Sequence, residues 1–214
     1  VQQEVPEFYG FAVGAIAAVW GISWGLGLKI ASSWDPNIKY GIGDNVSDIY
    51  INNEQPIPYT ISFENADTAT APAQVVIISD TLDITKYDMS TFRWGTITVG
   101  DTGYVEFVPP SYVHESYQLL SLAPASNDIL KVVSSIDTIS GILQWEFSTL
   151  SPVDSQLVTD PFAGFLPPNV NGTEGTASVS FTINPKPSLI TGDVITNKAS
   201  IVFDNNNPVI TPLW

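Results

Sequence analysis

The sequence predicts a mainly β protein, an antiparallel β-sandwich preceded by one long N-terminal hydrophobic α-helix. Three observations carry that prediction. Residues 8–28, FYGFAVGAIAAVWGISWGLGL, hold no charge and include five glycines. From Asp35 onward, short β-branched and aromatic segments recur, often alternating apolar with polar. Between them lie turns rich in Asn, Asp, Gly and Pro, which favour antiparallel sheets over βαβ crossovers. The division is therefore residues 1–34 for the helix and 35–214 for the sandwich.

The helix is expected to begin near Pro6, since proline is tolerated in a first turn but not deeper. As an α-helix, residues 8–28 would be about 31 Å long, close to the ~30 Å hydrocarbon thickness of a bilayer. A secretory signal should carry a basic region ahead of its apolar run, and here Glu4 and Glu7 stand there instead. Small residues recur four apart: Gly10, Gly14 and Ala18 form one row, and Ala17, Gly21 and Gly25 another. Such rows let helix backbones approach closely. Trp20 and Trp24, also four apart, project from one face beside those grooves. The pattern suits a helix that packs against copies of itself. A single anchor in lipid is the alternative, with Trp24 and Lys29 marking its interface.

Six later segments read as strands: Tyr59–Phe63, Ala73–Ile78, Tyr104–Val108, Leu143–Phe147, Ala177–Ile183 and Ala199–Phe203. Turns are expected at Asn52–Pro56, Gly100–Gly103, Ser140–Gly141 and Asn184–Pro187. The stretch from His114 to Leu122 has no clean period and fits loop or strand. Residues 148–172 are proline-rich and fit a long structured loop.

Charge narrows the function classes. Twenty-two acidic residues face seven basic ones, a formal net charge of -15. The basic residues are scattered singly, so no cationic surface for nucleic acid is expected. Cysteine is absent, which removes disulfides, thiolate metal sites and cysteine nucleophiles. His114 is the only histidine, and no nucleophile elbow, zinc signature or phosphate-binding glycine loop accompanies it. The expectation is a protein that is not an enzyme and requires no cofactor.

Calcium is the favoured ligand, because hard oxygen donors cluster at Asp35 and Asn37, Asp80 and Asp83, Asp160, and Asp204 with Asn205. None of these runs is an EF-hand, and the same residues can simply cap turns. Asp80 with Asp83 reads most simply as a solvated turn after a strand. Asn45 and Asn171 each begin a glycan acceptor triplet. Trp94 reads as core, or with Tyr112 as a loop contact for a surface glycan or protein. A cysteine-free sandwich can also be stapled by a Lys–Asn isopeptide bond. Lys39 with an asparagine near the last strand, such as Asn197, offers that pair.

Several runs carry a resemblance: Asp35-Pro-Asn37, Ile57–Asn65, Thr70–Val75, Ser79–Asp83, the stretch TDPFAGFLPPN ending at Asn169, and Ile201–Asn205. Together they resemble a conserved repeat domain of very large bacterial and archaeal cell-surface proteins, over residues 35–212. The resemblance implies an Ig-like sandwich and an extracellular setting, with no known catalytic activity. An apolar helix directly before such a module looks like the architecture of a type IV pilin or its archaeal relatives. That arrangement implies a subunit that passes through the membrane before assembly and then polymerises with itself. The alternative is a single-pass anchored module that adheres to surface glycans or proteins.

Overall fold

The computed structural model describes residues 37–42, 51–100, 105–109 and 114–214. All of them belong to one unit that runs to Trp214. The expected N-terminal helix, with Gly10, Gly14, Ala17, Ala18, Trp20, Gly21, Trp24 and Gly25, lies outside the described residues. No helix among the described residues is long and apolar enough to cross a membrane.

The described chain is β throughout. Its strands are β1 (Ile38–Tyr40), β2 (Ile57–Glu64), β3 (Val75–Thr81), β4 (Tyr87–Val99), β5 (Val105–Phe107), β6 (Glu115–Ser121), β7 (Ile129–Asp137), β8 (Ile142–Leu150), β9 (Thr176–Pro185), β10 (Ala199–Phe203) and β11 (Val209–Ile210). They form two antiparallel sheets. One has five strands in the order β1-β2-β9-β4-β5, and the other six in the order β11-β10-β3-β8-β7-β6. All six expected strands are found, and the ambiguous stretch after His114 resolves as β6.

Alternation explains the layers. In β9 every second residue is buried, so Ala177, Val179, Phe181 and Ile183 face inward while the serines and threonines between them face out. β2 repeats the pattern with Ile57, Tyr59, Ile61 and Phe63. From the other sheet come Val76 and Ile78 of β3 and Leu143, Trp145 and Phe147 of β8. At the centre Trp145 meets the Trp94 ring edge-on at 5.6 Å and lies 6.0 Å from Phe181. Trp94 is thus a core residue, 4% exposed. The expected turn at Gly141 joins β7 to β8 with φ at +77°, and a Cβ there would run into the Leu82 carbonyl oxygen.

The long loop between β8 and β9 is pinned to the core by its AGFLPPN stretch. Phe165 stacks on Phe147 at 5.5 Å, Leu166 is fully buried, and Ala73 N–H donates to the Leu166 carbonyl at 2.8 Å. Asn169 donates its amide to Glu64 at 2.9 Å, and its own N–H reaches the Asn65 carbonyl at 2.9 Å. The loop therefore leans on both sheets. Phe165→Ala should remove about 3–5 kcal/mol of stability and open residues 151–170 to proteases. Denaturant titration together with limited proteolysis measures both effects.

Candidate functional site

Lys39 stands in the middle of β1, opposite Ile61 of β2. Its neighbours Ile38 and Tyr40 are half-buried, whereas Lys39 itself points into the sandwich and is 3% exposed. A lysine on the inward face of a sheet is costly unless its charge is paired or removed.

The partner comes from the opposite sheet. Asp80 follows Val76 and Ile78 on the inward face of β3, and its carboxylate Oδ2 accepts a charge-assisted hydrogen bond from Lys39 Nζ. Across the β3–β10 ladder Asp80 sits opposite Ala199. Asn197 lies two residues before Ala199, also inward and 3% exposed. Its Nδ2 approaches the same Asp80 Oδ2 at 3.4 Å, and its Oδ1 accepts the Lys198 backbone N–H at 2.8 Å. The side-chain amide is thus held at both ends.

Aromatic rings close the site. Lys39 Nζ lies 4.5 Å from the Tyr59 ring centroid and 5.1 Å from that of Phe181. Trp214 packs edge-on against Tyr59 at 4.8 Å and exchanges two 2.9 Å backbone hydrogen bonds with Asn197. Gly41 gives that indole room, since a Cβ there would collide with the Trp214 ring. Tyr59 and Tyr87 share a 2.6 Å hydroxyl hydrogen bond beside the lysine.

Burial among these rings sets the protonation. Desolvation pulls the Lys39 ammonium down from its ordinary 10.5 to about 8, against the opposing attraction of Asp80. Desolvation likewise pushes the Asp80 carboxyl up, although Lys39 and Asn197 both act to lower it. Both shifts run toward the uncharged forms, so the pair holds its charges less firmly than the same groups would in water.

Asp80 therefore departs from the solvated turn expected of it: it is 1% exposed and belongs to β3. Only Asp83 forms that turn, accepting from the Thr85 N–H and hydroxyl at 2.9 and 2.6 Å. The oxygens read as calcium ligands are dispersed. Asp204, at the far end of β3 from Asp80, accepts the N–H groups of Gln74 and Val75 at 3.0 and 2.9 Å. Asp160 accepts the Phe162 N–H at 2.9 Å, and its carbonyl accepts the Gln74 side chain at 2.6 Å. Asn37 is buried just ahead of β1 and Asn205 is exposed in the turn after β10. Among the described residues no three His, Asp or Glu side chains converge as a metal cluster. Asn171 is exposed, with its amide held by Glu174 at 2.9 Å. His114 is exposed ahead of β6. Asp35, Asn45 and Tyr112 lie outside the described residues.

A two-sheet antiparallel domain with a lysine, an aspartate and an asparagine buried between its sheets defines the class. The particular family is a domain of unknown function, DUF7619, which matches residues 35–129 and 135–214, and the chain belongs to it. That extent coincides with the 35–212 stretch of the surface-protein resemblance. No curated protein matches the chain in sequence. Among solved structures it is similar to the collagen-binding domain of a Staphylococcus aureus adhesin, at 10% identity and a TM-score of 0.43, over 85% of this chain and 95% of that one. It is also similar to the group B streptococcus pilus 2b backbone protein, at 15% identity and 0.42, over 81% of this chain and 55% of that one. Domains D2 and D3 of the Corynebacterium diphtheriae major pilin SpaD match at 14% identity and 0.38, over 83% and 50%.

Asp80→Ala leaves the Lys39 amine buried without its carboxylate and should cost about 3–5 kcal/mol. The paired change Lys39→Met with Asp80→Leu should recover the part of that loss that comes from the unpaired buried amine. Denaturant unfolding of the three proteins is the measurement.

Proposed function

We propose that this protein is a structural subunit of an extracellular filament, assembling through its N-terminal apolar segment and displaying an acidic Ig-like sandwich. The observation that carries the reading is the order of the chain. A chargeless run of 21 residues, with small residues four apart, directly precedes a domain that holds most of the 22 acids. A helix of that composition packs closely with its own kind, and the domain behind it remains in water.

The character of the acids supports a solvated coat. Asp83, Asp88 and Asp137 each accept hydrogen bonds from residues two or three places further on, within their own turns. Those donors lower the pKa of all three carboxyls, as the Asn171 backbone N–H does for Glu174. These four carboxyls therefore stay ionised into more acidic conditions than free ones, and like charge on the coat discourages random adhesion between fibres.

Electron microscopy of native material sheared from cells without detergent tests the reading. Ordered fibres whose repeat accommodates one chain are expected, and Gly14→Leu or Gly21→Leu should abolish them while the β domain stays folded. Protein recovered only from detergent-solubilised membrane, with no fibres, would replace the filament by a single-pass surface adhesion module.

A further inference from the structure

We propose that Lys39 and Asn197 become joined by an intramolecular amide that the domain forms on itself, with Asp80 as the proton carrier. The geometry supplies each part of that reaction. Lys39 Nζ and Asn197 Nδ2 meet at one atom, Asp80 Oδ2, so nucleophile and leaving group share a single proton relay. The carbonyl oxygen of the Asn197 side chain already accepts the Lys198 N–H at 2.8 Å, a fixed donor where negative charge develops on attack. The Tyr59, Phe181 and Trp214 rings line the site, so hydrolysis does not compete with the amine.

In the reaction the neutral Lys39 amine attacks Cγ of Asn197. The new N–C bond gives a tetrahedral centre whose oxyanion is met by the Lys198 N–H. Asp80, starting as the acid, gives its proton to Nδ2 and then takes one from Nζ, ending as it began. The Cγ–Nδ2 bond then breaks and ammonia leaves. One amide replaces another, nothing is oxidised or reduced, and no co-reactant is needed. Burial lowers the Lys39 amine and raises the Asp80 carboxyl, and both shifts ease the proton transfers of the first step.

Lys39 could in principle condense with Asp80 instead, losing water. The arrangement favours Asn197, because its amide is held at both oxygen and nitrogen and has an acid at its leaving group. If Asp80 were the acyl partner, no second acid among the described residues would be in contact with the pair, and Asn197 could only polarise it.

The test is the intact mass of the full 214-residue chain, followed by proteolysis and fragmentation of the peptide that contains Lys39. The expected result is a mass lower than the sequence by one ammonia, with a branched peptide joining Lys39 to Asn197. Lys39→Arg keeps the positive charge, and Asp80→Asn keeps the side-chain shape. Each should show the β signature in circular dichroism, the full sequence mass and no branched peptide. A wild-type chain with the full sequence mass and a free Lys39 overturns the proposal. So does a branch from Lys39 to Asp80 with loss of water. A cross-link that persists in Asp80→Asn removes Asp80 from the chemistry.

Discussion

The contact between Lys39 and Asp80 is the constraint around which the domain is arranged. Burying an amine and a carboxyl away from water is costly whether they stay charged or shift toward their neutral forms, and only a close hydrogen-bonded geometry offsets it. That geometry needs two sheets in fixed relation, because the lysine comes from one and the aspartate from the other. A slip of one residue in the β1–β2 ladder would turn Lys39 to solvent, and the same slip between β3 and β10 would turn Asp80 away from it. Strand register is therefore dictated at this end of the sandwich by charge as well as by apolar burial.

The aromatic core provides the rigidity that such a pair demands. Phe181 lies 5.2 Å from Tyr59 and 5.7 Å from Phe92, so the rings beneath Lys39 belong to the same packed array as Trp94 and Trp145. A displacement in the core is felt at the lysine. On the far side of β3 the loop carrying AGFLPPN performs a different task. It fills the space between the sheets with Phe165 and Leu166 and satisfies buried backbone groups through Asn65 and Asn169. Asn65 alone donates its side-chain amide to the carbonyls of Ala71 and Leu166 at 3.0 and 2.9 Å. That most recognisable stretch of the sequence is thus a structural clamp.

Strands were legible wherever period-two alternation ran for several residues, as in β2, β8 and β9. β6 was ambiguous for a physical reason. It is the edge of its sheet, only Ser116 of its residues is buried, and exposed Tyr117 and Leu119 contradict a simple apolar-in pattern. Asp80 looks like a turn residue in the sequence, because the apolar run stops at Ile78 and a short acidic stretch follows. The usable signal was parity: Val76, Ile78 and Asp80 fall on one face, as do Asn197, Ala199 and Ile201. Nothing comparable marks Lys39, whose strand is three residues long. The lysine–asparagine pair was reachable from the absence of cysteine and the position of the last strands. Asp80 as its third member required the cross-sheet geometry.

Where the pair sits in the chain gives it mechanical meaning. Lys39 belongs to the first described strand, and Asn197 enters the strand next to the sheet edge formed by β11. A covalent tie between them would carry tension directly from one to the other and leave every residue between 39 and 197 unloaded. Without the tie, the same tension would fall on β1, which has only three registered positions against β2. Hydrogen bonds loaded in so short a ladder yield readily, and the loss of β1 would expose the buried aspartate. A domain that withstands pulling at its surface gains most from reinforcing this strand, and the inward lysine is placed where that reinforcement acts.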